Sequence, residues 1–414
     1  MAETVFYIIV AILVADYILE RILDRLNSKR WTDELPGELE GIYDPERYKK
    51  AQRYNRDRQK LSFVTGTLGF VIMLILLFTE GFAWLDELAG NVTTHYILLP
   101  LVYFGILGFA ADLLSIPFSL YGTFVIEEKY GFNKTTPRIF ILDKLKGWLL
   151  TIIIGGGLLA LIIYIYETTG SWFWLIAWGA IAIFTIFMTM FYSNLIVPLF
   201  NKQRPLEEGE LRDKIEGFAE EVGFPLKNIY VIDGSKRSTK ANAYFTGLGA
   251  KKRIVLYDTL MEKHTNDEIV AILAHEIGHY KKKHTTWGTV LSLAQTGLML
   301  FILSVFIDSP ALSQALGVGE PSFHIGLVAF GLLYSPISLA LGLVMNYISR
   351  SNEYAADRFA GKNFRPQPLQ EALKKLSVDH LSNLRPHPAY VFFYYSHPPL
   401  LKRLKALDRL REAA

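Results

Sequence analysis

The chain has 414 residues, of which 51% are hydrophobic, 14% aromatic and 20% charged, with no cysteine and a mean hydropathy of +0.24. Apolarity at that level, gathered in blocks, excludes disordered and collagen-like classes and points to a membrane architecture. A formal net charge of +3 gives no pull toward nucleic acid, and zero cysteines exclude disulfides, thiolate catalysis and cysteine zinc ligands, so any metal must sit on histidine and carboxylate.

A spanning helix needs roughly 20 mostly apolar residues, and seven stretches approach or exceed that. They run Val5 to Leu19, Leu61 to Phe78, Tyr96 to Ile116, Trp148 to Tyr164, Trp172 to Val197, Thr289 to Ile307 and Phe323 to Ile348. The first is the weakest, interrupted by Asp16 and closed by Glu20. It lacks a basic n-region, so it is expected to be a retained anchor rather than a cleaved leader. Lysine and arginine alternate along the connections. The Glu20 to Lys60 segment carries eleven and the Tyr121 to Gly147 loop five, whereas Glu80 to His95, Glu167 to Ser171 and Asp308 to Ser322 carry none. Basic loops stay on the cytosolic side, which predicts seven spans with the N-terminus outside and the C-terminus in the cytosol. Asp16, Asp112, Asn194 and Asn346 are costly in hydrocarbon and should face protein or water; a water-filled chamber or a transport pathway would each explain them.

Two stretches look soluble. Within Asn201 to His284, residues Gly209 to Val222 form an amphipathic helical pattern, and Ile229 to Asp233 and Arg253 to Tyr257 read as short strands. Asn352 to Ala414 is helical and charged. The expected division is residues 1–200 for the first five membrane helices, 201–288 for one part of a catalytic domain, 289–350 for the last two helices and 351–414 for its second part. The fold class is an all-α polytopic membrane protein of seven transmembrane helices with a zincin-type α+β domain on the cytosolic side.

The chemistry concentrates in His275-Glu276-Ile-Gly-His279. Two histidines four apart on a helix share a face within reach of one metal, and the intervening glutamate is turned toward a metal-bound water. With nine histidines in the chain, this HExxH pattern arises by chance in about one such sequence in a hundred. Gly278 within it lowers helix propensity but permits close packing. Zinc in a hydrolase needs a third protein ligand and an open position. Glu353, in Asn352-Glu353-Tyr-Ala-Ala-Asp357, can supply the ligand, while Asp357 one turn later can accept a hydrogen bond from the far side of a ligating imidazole.

Taken with these, five further motifs resemble the type I CAAX prenyl endopeptidases, seven-span zinc metalloproteases of the a-factor-converting kind. They are Ile126 to Thr136, Pro198-Leu-Phe-Asn201, Ala241-Asn-Ala-Tyr-Phe245, Arg253 to Leu260 and Ser396-His-Pro-Pro399, and the resemblance covers nearly the whole chain. It implies that Asn242 and Ala243 lie on an edge strand that pairs with the substrate backbone, between turns at Gly234 and Gly247; taken alone, Asn242 reads as a turn residue. It also implies that His397 donates to the developing oxyanion, with Arg403 assisting at the substrate. A large chamber enclosed by the helices and cleavage of prenylated C-terminal tripeptides in eukaryotes are implied likewise. The expected partners are a peptide or protein substrate, prenylated or not, and a lipid bilayer; the protein is expected to be a monomer with one Zn²⁺ per chain. The location is the endoplasmic reticulum membrane in a eukaryote or the inner membrane in a bacterium.

Two function classes remain open at this level. One is a membrane zinc endopeptidase with Glu276 as general base and His275, His279 and Glu353 as ligands. The other is a polytopic transporter or channel with a regulatory metal site, which gives no reason for a glutamate between the histidines.

Overall fold

Apolar runs of bilayer length become helices because backbone groups in hydrocarbon must be satisfied within their own segment. The computed structural model describes residues 1–226, 228–246 and 253–412; Gly247, expected as a turn, lies outside them. Among the described residues six helices are long and apolar enough to cross a membrane: Ala2–Ser28, Pro45–Phe78, Leu98–Glu127, Pro137–Phe200, His284–Phe306 and Phe323–Asn363. The fourth holds two of the expected spans. Its helix Gly157–Thr169 stops at Gly170, whose φ of +53° suits a residue without a side chain, and Phe173–Leu195 begins after a single tight turn. Ile163, Phe173 and Ala177 then share one buried cluster, so the two helices lie against each other.

Helix starts follow the local chemistry. Asp44 accepts from Arg47 N at 2.9 Å ahead of Pro45, and Thr136 from Ile139 N at 3.3 Å ahead of Pro137, each satisfying an amide of the first turn. The loops without lysine or arginine meet at one end of the bundle. There Phe82, Leu85, Leu312 and Leu316 pack together, and Tyr166 OH hydrogen-bonds Asp308. At the other end the basic loops dock on the soluble part. Ile126, Tyr130 and Phe132 bury against Tyr48, Tyr54, Val378 and Leu381, and Arg237 forms a two-pronged pair with Asp143 at 2.8 Å for each prong. Three of the four costly polar residues find protein partners. Asp16 accepts from Ser335, Asp112 from Lys144 Nζ (2.7 Å) and Trp148 Nε1 (2.8 Å), and Asn346 Nδ2 donates to Phe393 O (2.7 Å).

The soluble part is α+β. Strands β1 (Gln203–Pro205), β2 (Ile229–Ile232), β3 (Ala243–Thr246) and β4 (Arg253–Tyr257) form a sheet of order β1-β2-β4-β3, with β2 and β4 parallel and the outer pairs antiparallel. β3 is therefore an edge. Val231, Ile254 and Leu256 pack on Ile215 and Phe218 of helix Glu210–Glu221 and on Ile269, Leu273 and Ile277 of helix Asn266–Lys281. Each such side chain contributes about 1.5–3 kcal/mol when fully buried. The divisions expected at 288/289 and 350/351 fall inside continuous helices, His284–Phe306 and the 41-residue Phe323–Asn363. Asn346 to Asp357 contains neither glycine nor proline, so nothing stops the helix where the apolar run ends.

Candidate active site

The Asn266–Lys281 helix opens with a capping box: Glu268 N donates to Thr265 Oγ1 (3.3 Å) and Thr265 N to Glu268 Oε2 (3.1 Å). Its spacing puts His275 and His279 on one face, their Nε2 atoms 3.1 Å apart. Gly278 sits on the opposing helix: a side chain there would lie 3.1 Å from Ala356 Cα. That close approach lets helix Phe323–Asn363 present Glu353, with Oε1 3.2 Å from His279 Nε2 and Oε2 3.5 Å from His275 Nε2. One ligand atom from each residue lies within 4.8 Å of the other two.

Behind this trio is a buried support. Asp357 Oδ1 is 2.9 Å from His275 Nδ1. Arg403 grips Asp357 through Nε (2.8 Å) and Nη2 (2.6 Å), and its Nη1 lies 3.3 Å from Glu353 Oε2. Arg403, expected at the substrate, spends its planar fork on both oxygens of the Asp357 carboxylate and also lines the cavity in front of the trio. His397 keeps a side chain 63% exposed, with Nδ1 2.9 Å from Ser396 Oγ and Nε2 3.3 Å from Glu353 Oε1. The helix Leu400–Glu412 starts directly after Pro399, so the two prolines both end the His397 loop and begin that helix. Glu276 is half-buried and lines the cavity in front of the trio. Asn242 precedes β3 and Ala243 is its first residue; both line the same cavity. His284, which the sequence presents as one more charge in a basic run, places Nδ1 3.0 Å from His279 Nδ1. Its position five residues after His279 was the available signal.

Charge decides what the trio can hold. Burial pushes the His275 imidazole down, but the neighbouring carboxylates of Asp357 and Glu353 outweigh it and raise it to about 9. The site thus calls for positive charge. A cation that displaces the Nε2 proton of His275 leaves Nδ1–H on Asp357 and meets Nε2 of His275, Nε2 of His279 and the Glu353 carboxylate together. Glu353 Oε2 is buried without a hydrogen bond, its approach to Arg403 being ionic only. A divalent cation between these atoms satisfies all three at once, so the donor set fits a metal.

The cavity in front measures about 1130 Å³ and is walled by residues of the membrane helices and the domain alike, from Asn27 and Arg58 to Tyr395 and His397.

Comparison with known proteins agrees with this arrangement. Residues 25–202 match the family model described as CAAX prenyl protease N-terminal, five membrane helices, and residues 205–411 match Peptidase family M48. The chain is 36% identical to the "CAAX prenyl protease 1 homolog" of Arabidopsis thaliana over 409 residues, covering 97% of this chain and 96% of that protein. It is 35% identical to "CAAX prenyl protease 1" of Saccharomyces cerevisiae over 427 residues, covering 96% and 94% respectively. The crystal structure of S. mikatae Ste24p superposes with a TM-score of 0.93 at 34% identity, over 98% of this chain and 99% of that one. With a helical membrane region, a half-buried glutamate beside a His-His-Glu trio and these full-length likenesses, the chain belongs to peptidase family M48, among the integral-membrane metalloproteases with the CAAX prenyl protease N-terminal region.

Proposed function

We propose that the protein uses zinc to hydrolyse peptide bonds near the C-terminus of prenylated CAAX proteins or of other membrane-associated peptides, the former being what its relatives' names say of them. The observation that carries this is the meeting of His275, His279 and Glu353 in one cavity wall with Glu276 beside them. These three residues hold one ion, and zinc when bound supplies a water of pKa about 7 and polarises a carbonyl. Glu276 takes the proton of the attacking water and returns it to the leaving amine. His397 offers its ring to the charge that develops on the carbonyl oxygen. Asn242 and Ala243 lie at the sheet edge, onto which the substrate adds as a strand. Asp357 and Arg403 act through His275 and Glu353 by fixing their orientation.

We propose seven spans, supported by the break at Gly170 within the fourth candidate, with the domain and C-terminus on the cytosolic side, supported by the basic loops, in an endoplasmic-reticulum or bacterial inner membrane; we propose a monomer as well. Single-cysteine labelling is clean in a cysteine-free chain, and labelling of Ala315→Cys from the cytosolic side would overturn that topology. The function is tested by mass spectrometry of products from matched farnesylated and unfarnesylated CAAX peptides given to zinc-loaded protein. Cleavage near the C-terminus is expected, together with its loss in a Glu276→Gln variant that still binds zinc. A transporter with a regulatory metal would show no peptide products and little change on that substitution.

A further inference from the structure

The segment that leads into the edge strand stays against β4 and the helix after it. Ala243 pairs with Leu256 in β4; Tyr257 N then donates to Asn242 O at 3.0 Å, and Thr259 Oγ1 to Lys240 O at 3.0 Å. Pairing with β4 thus extends by one backbone bond to Asn242, and a side-chain bond from the first turn of helix Asp258–Lys263 holds Lys240 beside it. Lys240 is two residues before Asn242, so its Cα lies within about 7 Å of Asn242 on the side from which β3 begins. Its Nζ donates to Glu127 Oε2 (2.8 Å) and Tyr54 OH (2.9 Å) and stands 4.2 Å from the centre of the Phe132 ring. Tyr54 OH donates to Glu127 Oε1 at 2.5 Å, and Arg58 Nη1 donates to the same phenol oxygen at 3.1 Å.

Two cations therefore share one carboxylate. Arg58 reaches Glu127 only at 3.8 Å, with its side chain 60% exposed. Both cations line the cavity that holds the His-His-Glu trio. His380, in the same wall, registers the imbalance. Burial, then the Lys240 and Lys263 ammonium groups, hold its imidazole below the ordinary range, and its Nε2 is buried without a hydrogen bond.

We propose that Lys240 and Arg58 form the subsite for the free C-terminal carboxylate of the substrate, so that the cut is measured from the chain end. A strand added to β3 pairs best antiparallel, which runs its C-terminal side from Asn242 toward Lys240. With the scissile bond near Asn242, a tail of about three residues puts its terminal carboxylate opposite the two cations. A carboxylate there balances the excess charge and takes hydrogen bonds from an ammonium and a guanidinium, the strong kind. The inference rests on the peptidase reading above.

The test compares kcat/KM for one peptide as free acid and as C-terminal amide, in the parent protein, Arg58→Gln, Lys240→Met and Lys240→Arg. The parent is expected to prefer the acid about 10- to 100-fold, chiefly through KM. Arg58→Gln and Lys240→Met should bring the preference to within about threefold while leaving kcat on the amide near that of the parent, and Lys240→Arg should keep it. Arg58 is exposed, so its variant remains informative if Lys240→Met does not fold. Equal cleavage of acid and amide by the parent, or an undiminished preference in Arg58→Gln, overturns the carboxylate subsite and leaves the peptidase intact. Failure of the zinc-loaded parent to cut either peptide overturns the peptidase reading, and the subsite falls with it.

Discussion

The two ends of one helix, Phe323–Asn363, each bring a histidine and carboxylates together, and they differ in kind. At the first end His324 is buried. Its Nε2 lies 2.6 Å from Asp86 Oδ1, and Ser322 Oγ is 3.0 Å from its Nδ1, so both ring nitrogens are occupied within the protein. At the far end Glu353 faces two histidines whose Nε2 atoms point at each other, and its own Oε2 has no hydrogen bond. A closed pair holds loops together, whereas an array of converging lone pairs costs free energy until a cation enters. The same residue types thus serve as a clamp or as a metal centre according to whether their lone pairs are answered.

That contrast can be broken most sharply at the ligands. Alanine at His275, His279 or Glu353 should abolish stoichiometric zinc and with it all peptidase activity; metal analysis that finds full zinc in Glu353→Ala would reassign the third ligand. The next largest effect is expected at His397. His397→Ala should keep zinc and peptide binding while kcat falls about 100- to 1,000-fold, as for loss of one oxyanion donor. A rise in KM at unchanged kcat would remove it from the catalytic residues. Asp357→Ala frees both His275 Nδ1 and the Arg403 fork, and zinc affinity or activity should drop about 10- to 100-fold. The smallest effect belongs to the closed pair. His324→Ala should leave zinc content unchanged and lower stability by about 1–3 kcal/mol, seen as a reduced unfolding midpoint in detergent. Zinc loss in that variant would mean the two ends of the helix are not independent.

Much of this was legible residue by residue. The strands Ile229–Ile232 and Arg253–Tyr257 and the amphipathic helix after Gly209 follow from apolar runs and periodicity and emerge within a residue or two of expectation, whereas the apolar runs lie inside helices that extend up to 16 residues beyond them. The helix that carries His275 and His279 was readable because its two histidines are four apart with a glutamate between them. β1 was missed because three residues of strand carry no period, and its pairing with Gln203↔Ile232 register is set by the neighbour. The lines drawn at 288/289 and 350/351 fall inside helices for the opposite reason: hydropathy changes at the membrane surface, but a helix does not stop there.

Sequence alone therefore determined the local geometry: which segments are apolar enough to span, where helices begin, that His275 and His279 share a face and that Glu276 stands between them. These depend on spacing within one turn or one bilayer thickness. Tertiary structure alone decided which distant groups meet. Glu353 reaches the histidines because Gly278 lets two helices touch at Ala356. Arg403 found Asp357, and Lys240 joined Tyr54 and Glu127 beside Arg58, because partners separated by scores of residues are chosen by packing and charge balance, and no periodicity in a chain records them.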